Sequence, residues 1–203
     1  MNIEIRIQQI AASEYVAKYR DIHKFIKFCK ECNCYNKTWS CPPFETKTGS
    51  YIDYKNQKIE DFEILTIIGV KINIEEKLRT SSRNLKERDD LTRDIITKVR
   101  REFDAKLLRL EQQITPSMAY FAGSCVICPK DECSRIKHQP CRYPEKMRST
   151  LEADGFDIGR TCTELLEVEI KWCDKLALPE YYTLCYGFLS HQDATDQLKG
   201  ILK

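Results

Sequence analysis

The chain has 203 residues, 42% of them hydrophobic and 32% charged, a composition that excludes a disordered or fibrous protein and supports one sizeable core without metal or disulfides as a folding requirement. Its 33 Lys and Arg against 31 Asp and Glu give a net charge of +2, which argues against nucleic acid and anionic membranes as partners. No apolar run approaches the roughly 20 residues that cross a bilayer, and the alternating start Ile3-Glu4-Ile5-Arg6-Ile7 is unlike a secretory signal, so the expected setting is cytoplasmic.

Residues 3–7 alternate as a strand. Ser13 is placed to cap a helix whose Val16, Tyr19, Ile22 and Ile26 recur at helical spacing and which ends near Cys29. After a first cysteine loop, the β-branched run from Phe62 to Ile72 reads as a buried strand. A long helix follows, with Leu91, Ile95, Val99, Phe103, Leu107 and Leu110 on one stripe before Pro116 stops it. Ser117 to Ala122 reads as a short strand that delivers a second cysteine loop. Helices are expected over Pro144–Ala153, closed by Gly155, and over Arg160–Cys173, with a last strand over Tyr181–Leu189. This order predicts an α/β fold, with α+β as the alternative. The expected form is a single-domain sandwich over residues 1–203, pairing a small mixed sheet with helices and carrying cysteine loops at 29–44 and 123–144.

The 11 cysteines are poorly explained as disulfides in a reducing compartment, which leaves metal ligation as the leading reading. The second loop holds Cys125, Cys128, Cys133 and Cys141, four thiols among turn-forming Gly123, Pro129 and Pro140, enough for a tetrahedral zinc site or an iron–sulfur cluster. In the first loop, Cys29, Cys32 and Cys41 are candidate ligands. Cys34 is an additional candidate, set close to Cys32. Three ligands would leave one coordination position open, as a catalytic centre requires.

The pattern Cys29-x-x-Cys32-x-x-Tyr35-x-x-x-Trp39-x-Cys41-Pro42-Pro43 resembles the N-terminal motif of a prokaryotic family known as predicted metal-binding proteins. The segment Ala122-Gly123-Ser124-Cys125-x-x-Cys128, with Pro140-Cys141-Arg142, Pro144, Arg148-Ser149 and Glu152-Ala153-x-Gly155, is similar to that family's second motif. The resemblance covers nearly the whole chain. It implies metal binding in a cytosolic, often anaerobic setting, without an established reaction. Cys34, Cys162, Cys173 and Cys185 stand where the family motif has no cysteine.

Thiolates suit both zinc and iron–sulfur clusters. The paired-knuckle spacing of zinc ribbons is absent, whereas a proline directly follows Cys41 and Cys128, as it follows a ligand in bacterial ferredoxins. The expected cofactor is therefore one or two iron–sulfur clusters of the 4Fe–4S type, with zinc as the alternative, and the expected role is redox or electron transfer. The competing functions are a zinc-stabilised protein-interaction module and an enzyme whose metal centre keeps an open position. Arg142 and Arg148 are candidates to offset thiolate charge or to hold a small anionic ligand, with Glu152 orienting one of them. Tyr35 and Trp39 are candidates to shield the first centre. A redox protein or a small anion is the expected partner. Cys162 and Cys173 at helical spacing, and Cys185 within a strand, read as packing residues. No phosphate loop or serine-hydrolase motif is present.

Overall fold

A computed structural model describes residues 2–44, 59–129 and 131–202. Four strands, β1 (Asn2–Ala11), β2 (Ile64–Asn73), β3 (Ser117–Tyr120) and β4 (Tyr181–Ser190), form one sheet in the order β1-β2-β4-β3. The α/β sandwich forms as expected. Every pairing in its sheet is antiparallel, however, where a mixed sheet was expected, because strand direction leaves no trace in hydrophobic patterning.

Helices cover both faces. The described residues form six: α1 (Ala12–Tyr19), α2 (Ile22–Glu31), α3 (Glu76–Arg79), α4 (Leu85–Gln113), α5 (Ile158–Leu166) and α6 (Thr195–Leu202). On one face α4 lays Ile95, Val99, Phe103, Leu107 and Leu110 against Ile68, Val70 and Ile72 of β2 and Tyr186 and Phe188 of β4, beside Leu198 and Leu202 of α6. On the other, Tyr15 and Tyr19 of α1 and Cys162 and Leu166 of α5 pack on Leu65, Ile67, Met118 and Leu189. β2 thus buries side chains in both directions, which is why its sequence is nearly all apolar. Among the described residues no helix is long and apolar enough to cross a membrane.

The start of α4 is fixed by a reciprocal cap: Asn84 Oδ1 accepts from the Glu87 N–H at 2.9 Å, and Glu87 Oε2 accepts from the Arg83 N–H at 2.9 Å.

Three expected helices differ in the structure. The helix placed over Ser13 to Cys29 is two helices, since Arg20 is extended and bridges to Phe156, and Asp21 restarts the chain by accepting from the Lys24 N–H at 2.9 Å. The Asp21 N–H donates to the Gly155 carbonyl at 2.8 Å. Ser13 caps nothing; the N-cap of α1 is Ala11. No α-helix spans Pro144–Ala153. There the backbone turns at 144–146 and then runs alongside the end of β3, with the Phe121 N–H donating to the Ser149 carbonyl at 2.9 Å. A helix could not make that tertiary bond and its own ladder together. The helix expected over Arg160–Cys173 stops at Leu166, because Glu167 adopts φ 53° and Val168 closes back on the Cys162 carbonyl at 3.0 Å. Cys162 is buried against the sheet as expected, and so is Cys185; Cys173 lies outside the helix, near the Tyr182 hydroxyl.

Candidate metal centre

The last turn of α2 carries Cys29, whose thiol donates to the Glu152 carbonyl at 4.0 Å. Beyond the helix the chain coils through successive tight turns, with backbone bonds from Tyr35 to Cys32, from Lys37 to Cys34 and from Cys41 to Thr38. Asn36 at φ 56° closes the coil by donating to the Pro42 carbonyl at 2.8 Å. This winding brings Cys34 and Cys41 toward Cys32. The Cys34 N–H donates to Cys32 Sγ at 3.5 Å, and Cys41 lies within electrostatic reach of both Cys34 and Cys32. Burial pushes the Cys41 thiol up to about 11, against hydrogen bonds from Thr38 and Ser40 that favour its thiolate. Burial likewise raises Cys29, followed by repulsion from Cys32 and Glu152.

The second loop leaves β3 through Phe121 and Ala122, both buried, and turns at Gly123, whose φ of +67° suits glycine. Cys125 follows at once, its N–H donating to Ser40 Oγ of the first loop at 2.8 Å. Burial pushes its thiol up to about 12, opposed by a hydrogen bond from the Ile127 backbone and by the charge of Arg100, while Cys141 and Cys128 add to the rise. Cys141 is raised by burial and then by Cys133 and Cys128, after the opposing Tyr143 backbone bond. Cys125 and Cys141 therefore each lie within electrostatic reach of Cys128.

The two loops are clamped into one unit by a residue that no motif announces. Arg135, 3% exposed, donates to the carbonyls of Thr38 at 2.9 Å and Cys41 at 2.6 Å and also to that of Pro43. Its guanidinium lies over the Trp39 ring. In return, the Trp39 indole N–H reaches Ser134 Oγ and the Gln139 carbonyl, each at 3.2 Å. Trp39 and Met147 make a small buried cluster against which Phe44, Cys125, Cys133 and Cys141 pack. This corrects the role expected for Trp39: the indole belongs to the wall of the second thiol group, although its sequence lies within the first. Tyr35 is half-buried in the first coil.

The arginines divide. Arg148 is committed to Glu111, with Nε 2.9 Å from Oε1 and Nη2 2.5 Å from Oε2. Arg142 is exposed and hydrogen-bonds the Cys128 thiol, which raises its own proton affinity. Glu152 orients neither of them. Its carboxyl is turned inward, where burial raises its proton affinity, and the arginine it faces is Arg100 of α4. Arg100 escaped sequence reasoning because it sits beside the apolar stripe of α4; its one available signal was the four-residue spacing to Asp104. Arg135 and Ser40 gave none.

Among the described residues no three His, Cys, Asp or Glu side chains converge closely enough to hold a metal ion. Thiols are soft donors, and here Cys41 lies within electrostatic reach of Cys34 and Cys32, Cys29 of Cys32, and Cys141 of Cys125, Cys128 and Cys133, on loops whose backbones are locked together. Cys29, Cys32 and Cys41, with Cys34 beside them, would serve one centre, and Cys125, Cys128, Cys133 and Cys141 the other.

The fold is an antiparallel α/β sandwich with two cysteine-bearing segments joined through Arg135. The chain belongs to the family described as Predicted metal-binding protein (DUF2284), whose model matches residues 11–188 and so spans both loops. No curated protein and no solved structure matches the chain.

Proposed function

We propose that the protein is an iron–sulfur protein with a redox or electron-transfer role, in which Cys125, Cys128, Cys133 and Cys141 hold one cluster and Cys29, Cys32 and Cys41 contribute to a second. The observation that carries this reading is the second loop: four thiols in one turn-rich segment, three of them packed on the apolar wall of Trp39 and Met147. Thiolates hold iron–sulfur clusters, and an apolar wall limits water at the sulfurs, which sets potential. Cys32, exposed at the end of α2, gives a redox partner protein its approach to the first centre. Arg142, exposed beside Cys128, is the arginine left for a small anionic ligand.

The test is electron paramagnetic resonance of anaerobically reconstituted, dithionite-reduced protein. A reduced-cluster signal that disappears in Cys128→Ser while a first-loop signal persists supports the assignment. Loss of no signal in that variant would refute the second-loop ligand set, and a silent, colourless, zinc-containing protein would replace the redox reading with a zinc-stabilised interaction module.

A further inference from the structure

The two edges of the sheet are finished differently. β3 is four residues long, its Ala119 N–H donates to the Glu111 carboxylate, and the chain at Ser149 runs alongside its end. β1 is ten residues long and pairs with β2 residue for residue from Asn2 to Ala11, with no bulge, proline or lysine to interrupt it. Among the described residues the backbone groups along its outer side have no backbone partner. A long, regular and unprotected edge is a template for another strand, which is why most proteins shorten, bend or cover theirs.

β1 is also complementary to itself. Glu4 and Arg6 share one face, with side chains 43% and 42% exposed, while Ile3, Ile5 and Ile7 lie half-buried against the core on the other. In an antiparallel pair of two copies centred on Ile5, Glu4 of each stands opposite Arg6 of the other, Ile3 opposite Ile7, and Ile5 opposite itself. Charges on an edge strand usually deter pairing, yet in this register they attract. Sliding by two residues either way sets Glu4 against Glu4 or Arg6 against Arg6, and sliding by one sets isoleucines against charges. From the inner side Lys71 of β2 already holds Glu4, Nζ to Oε1 at 3.2 Å, and Arg6 is held through Nη1 by the Leu166 and Glu167 carbonyls at 2.9 Å and 3.0 Å. Arg6 of a second copy would continue that alternating row of charge.

We infer that the protein forms a two-fold dimer through β1, a second copy of the chain adding its own β1 antiparallel over residues 2–8, so that the two four-stranded sheets run on as one. Main-chain bonds along the edge give affinity, and the two Glu4–Arg6 pairs fix the register. Ile3, Ile5 and Ile7 of both copies close the core over the axis. Beyond residue 8 the start of α6 takes over: the Gln9 side chain donates to Thr195 Oγ1 at 2.7 Å and to Asp193. The dimer needs no metal and is independent of the iron–sulfur reading.

The experiment is sedimentation velocity of the reduced full chain over a concentration series, with Glu4→Arg and Arg6→Glu measured alone and mixed. Wild type should dimerise. Each variant alone sets like charges opposite one another in both pairs, so its dissociation constant should rise at least about tenfold. An equimolar mixture of the two should associate again, because opposite charges then meet in both pairs. A wild type that stays monomeric, single variants that dimerise as tightly as wild type, or a mixture that does not associate overturns the inference. Should either variant not fold, amide hydrogen exchange of wild type decides. Exchange over residues 2–8 should slow as concentration rises while that of β3 does not, and a rate there independent of concentration overturns the dimer equally.

Discussion

Arg135 lies with its guanidinium 5.1 Å from the centre of the Trp39 ring, so that a cation from the second cysteine loop covers the indole of the first. The same guanidinium satisfies carbonyls on both sides of Cys41, at Thr38 and Pro43, as well as that of Cys41 itself. Charge-assisted bonds of this kind contribute about 1.5–3 kcal/mol each and do not add fully. Arg135→Ala is expected to lower unfolding stability by about 3 kcal/mol, and Arg135→Lys to recover little, since an ammonium cannot span three carbonyls in one plane. Urea denaturation with limited proteolysis across the first loop checks this; unchanged stability with intact loops would mean that the clamp is ornamental.

Gly155 ends the second motif for a reason that the sequence did not reveal. It has φ +89°, and a Cβ there would lie 2.8 Å from Ile22 Cα, at the start of the helix that carries Cys29. Gly155→Ala is expected to cost about 2–4 kcal/mol from left-handed strain plus backbone overlap and to displace α2. Gly200→Ala, with nothing within 4 Å in α6, should instead stabilise by about 0.5 kcal/mol. Thermal unfolding of the two variants side by side distinguishes a packing constraint from a general intolerance of alanine.

What could be read in advance was what repeats. The stripe from Ile95 to Leu110 and the β-branched run of β2 announced the helix and the strand. What could not be read depends on contacts between distant segments. Arg20 bends the first helix because Phe156 pairs with it, Ser149 stays extended because Phe121 bonds it, and Trp39 serves the second thiol group through Arg135. Arg148 had invited a ligand-binding role, yet the partner it finds, Glu111, lies 37 residues upstream on α4.

That Glu111–Arg148 pair is nearly buried, its side chains 10% and 12% exposed. Removing one partner leaves the other charge without compensation, so Arg148→Met and Glu111→Met are each expected to destabilise by about 3 kcal/mol, and the double variant by clearly less than their sum. A double-mutant cycle by denaturation provides the measure. Strict additivity would show that the two side chains do not interact.

In metal-free protein the thiols of Cys41 and Cys125, held near 11 and 12 by burial, ionise only above the ordinary range near 8.5. Because the shift is upward, the thiolate fraction is small at pH 8 and rises about tenfold per pH unit toward pH 10. Alkylation by iodoacetamide, followed by peptide mass spectrometry, should show that slope at both residues. A plateau by pH 9 would contradict it. Metal loading should release protons and improve as pH rises over the same interval.

The most direct measurement is the iron, zinc and acid-labile sulfide content, with an absorption spectrum, of protein purified anaerobically without added metal. The account predicts iron with matching sulfide and broad charge-transfer absorption, lost in part when the cysteines of one loop are replaced. Stoichiometric zinc without sulfide, in colourless protein, would contradict it.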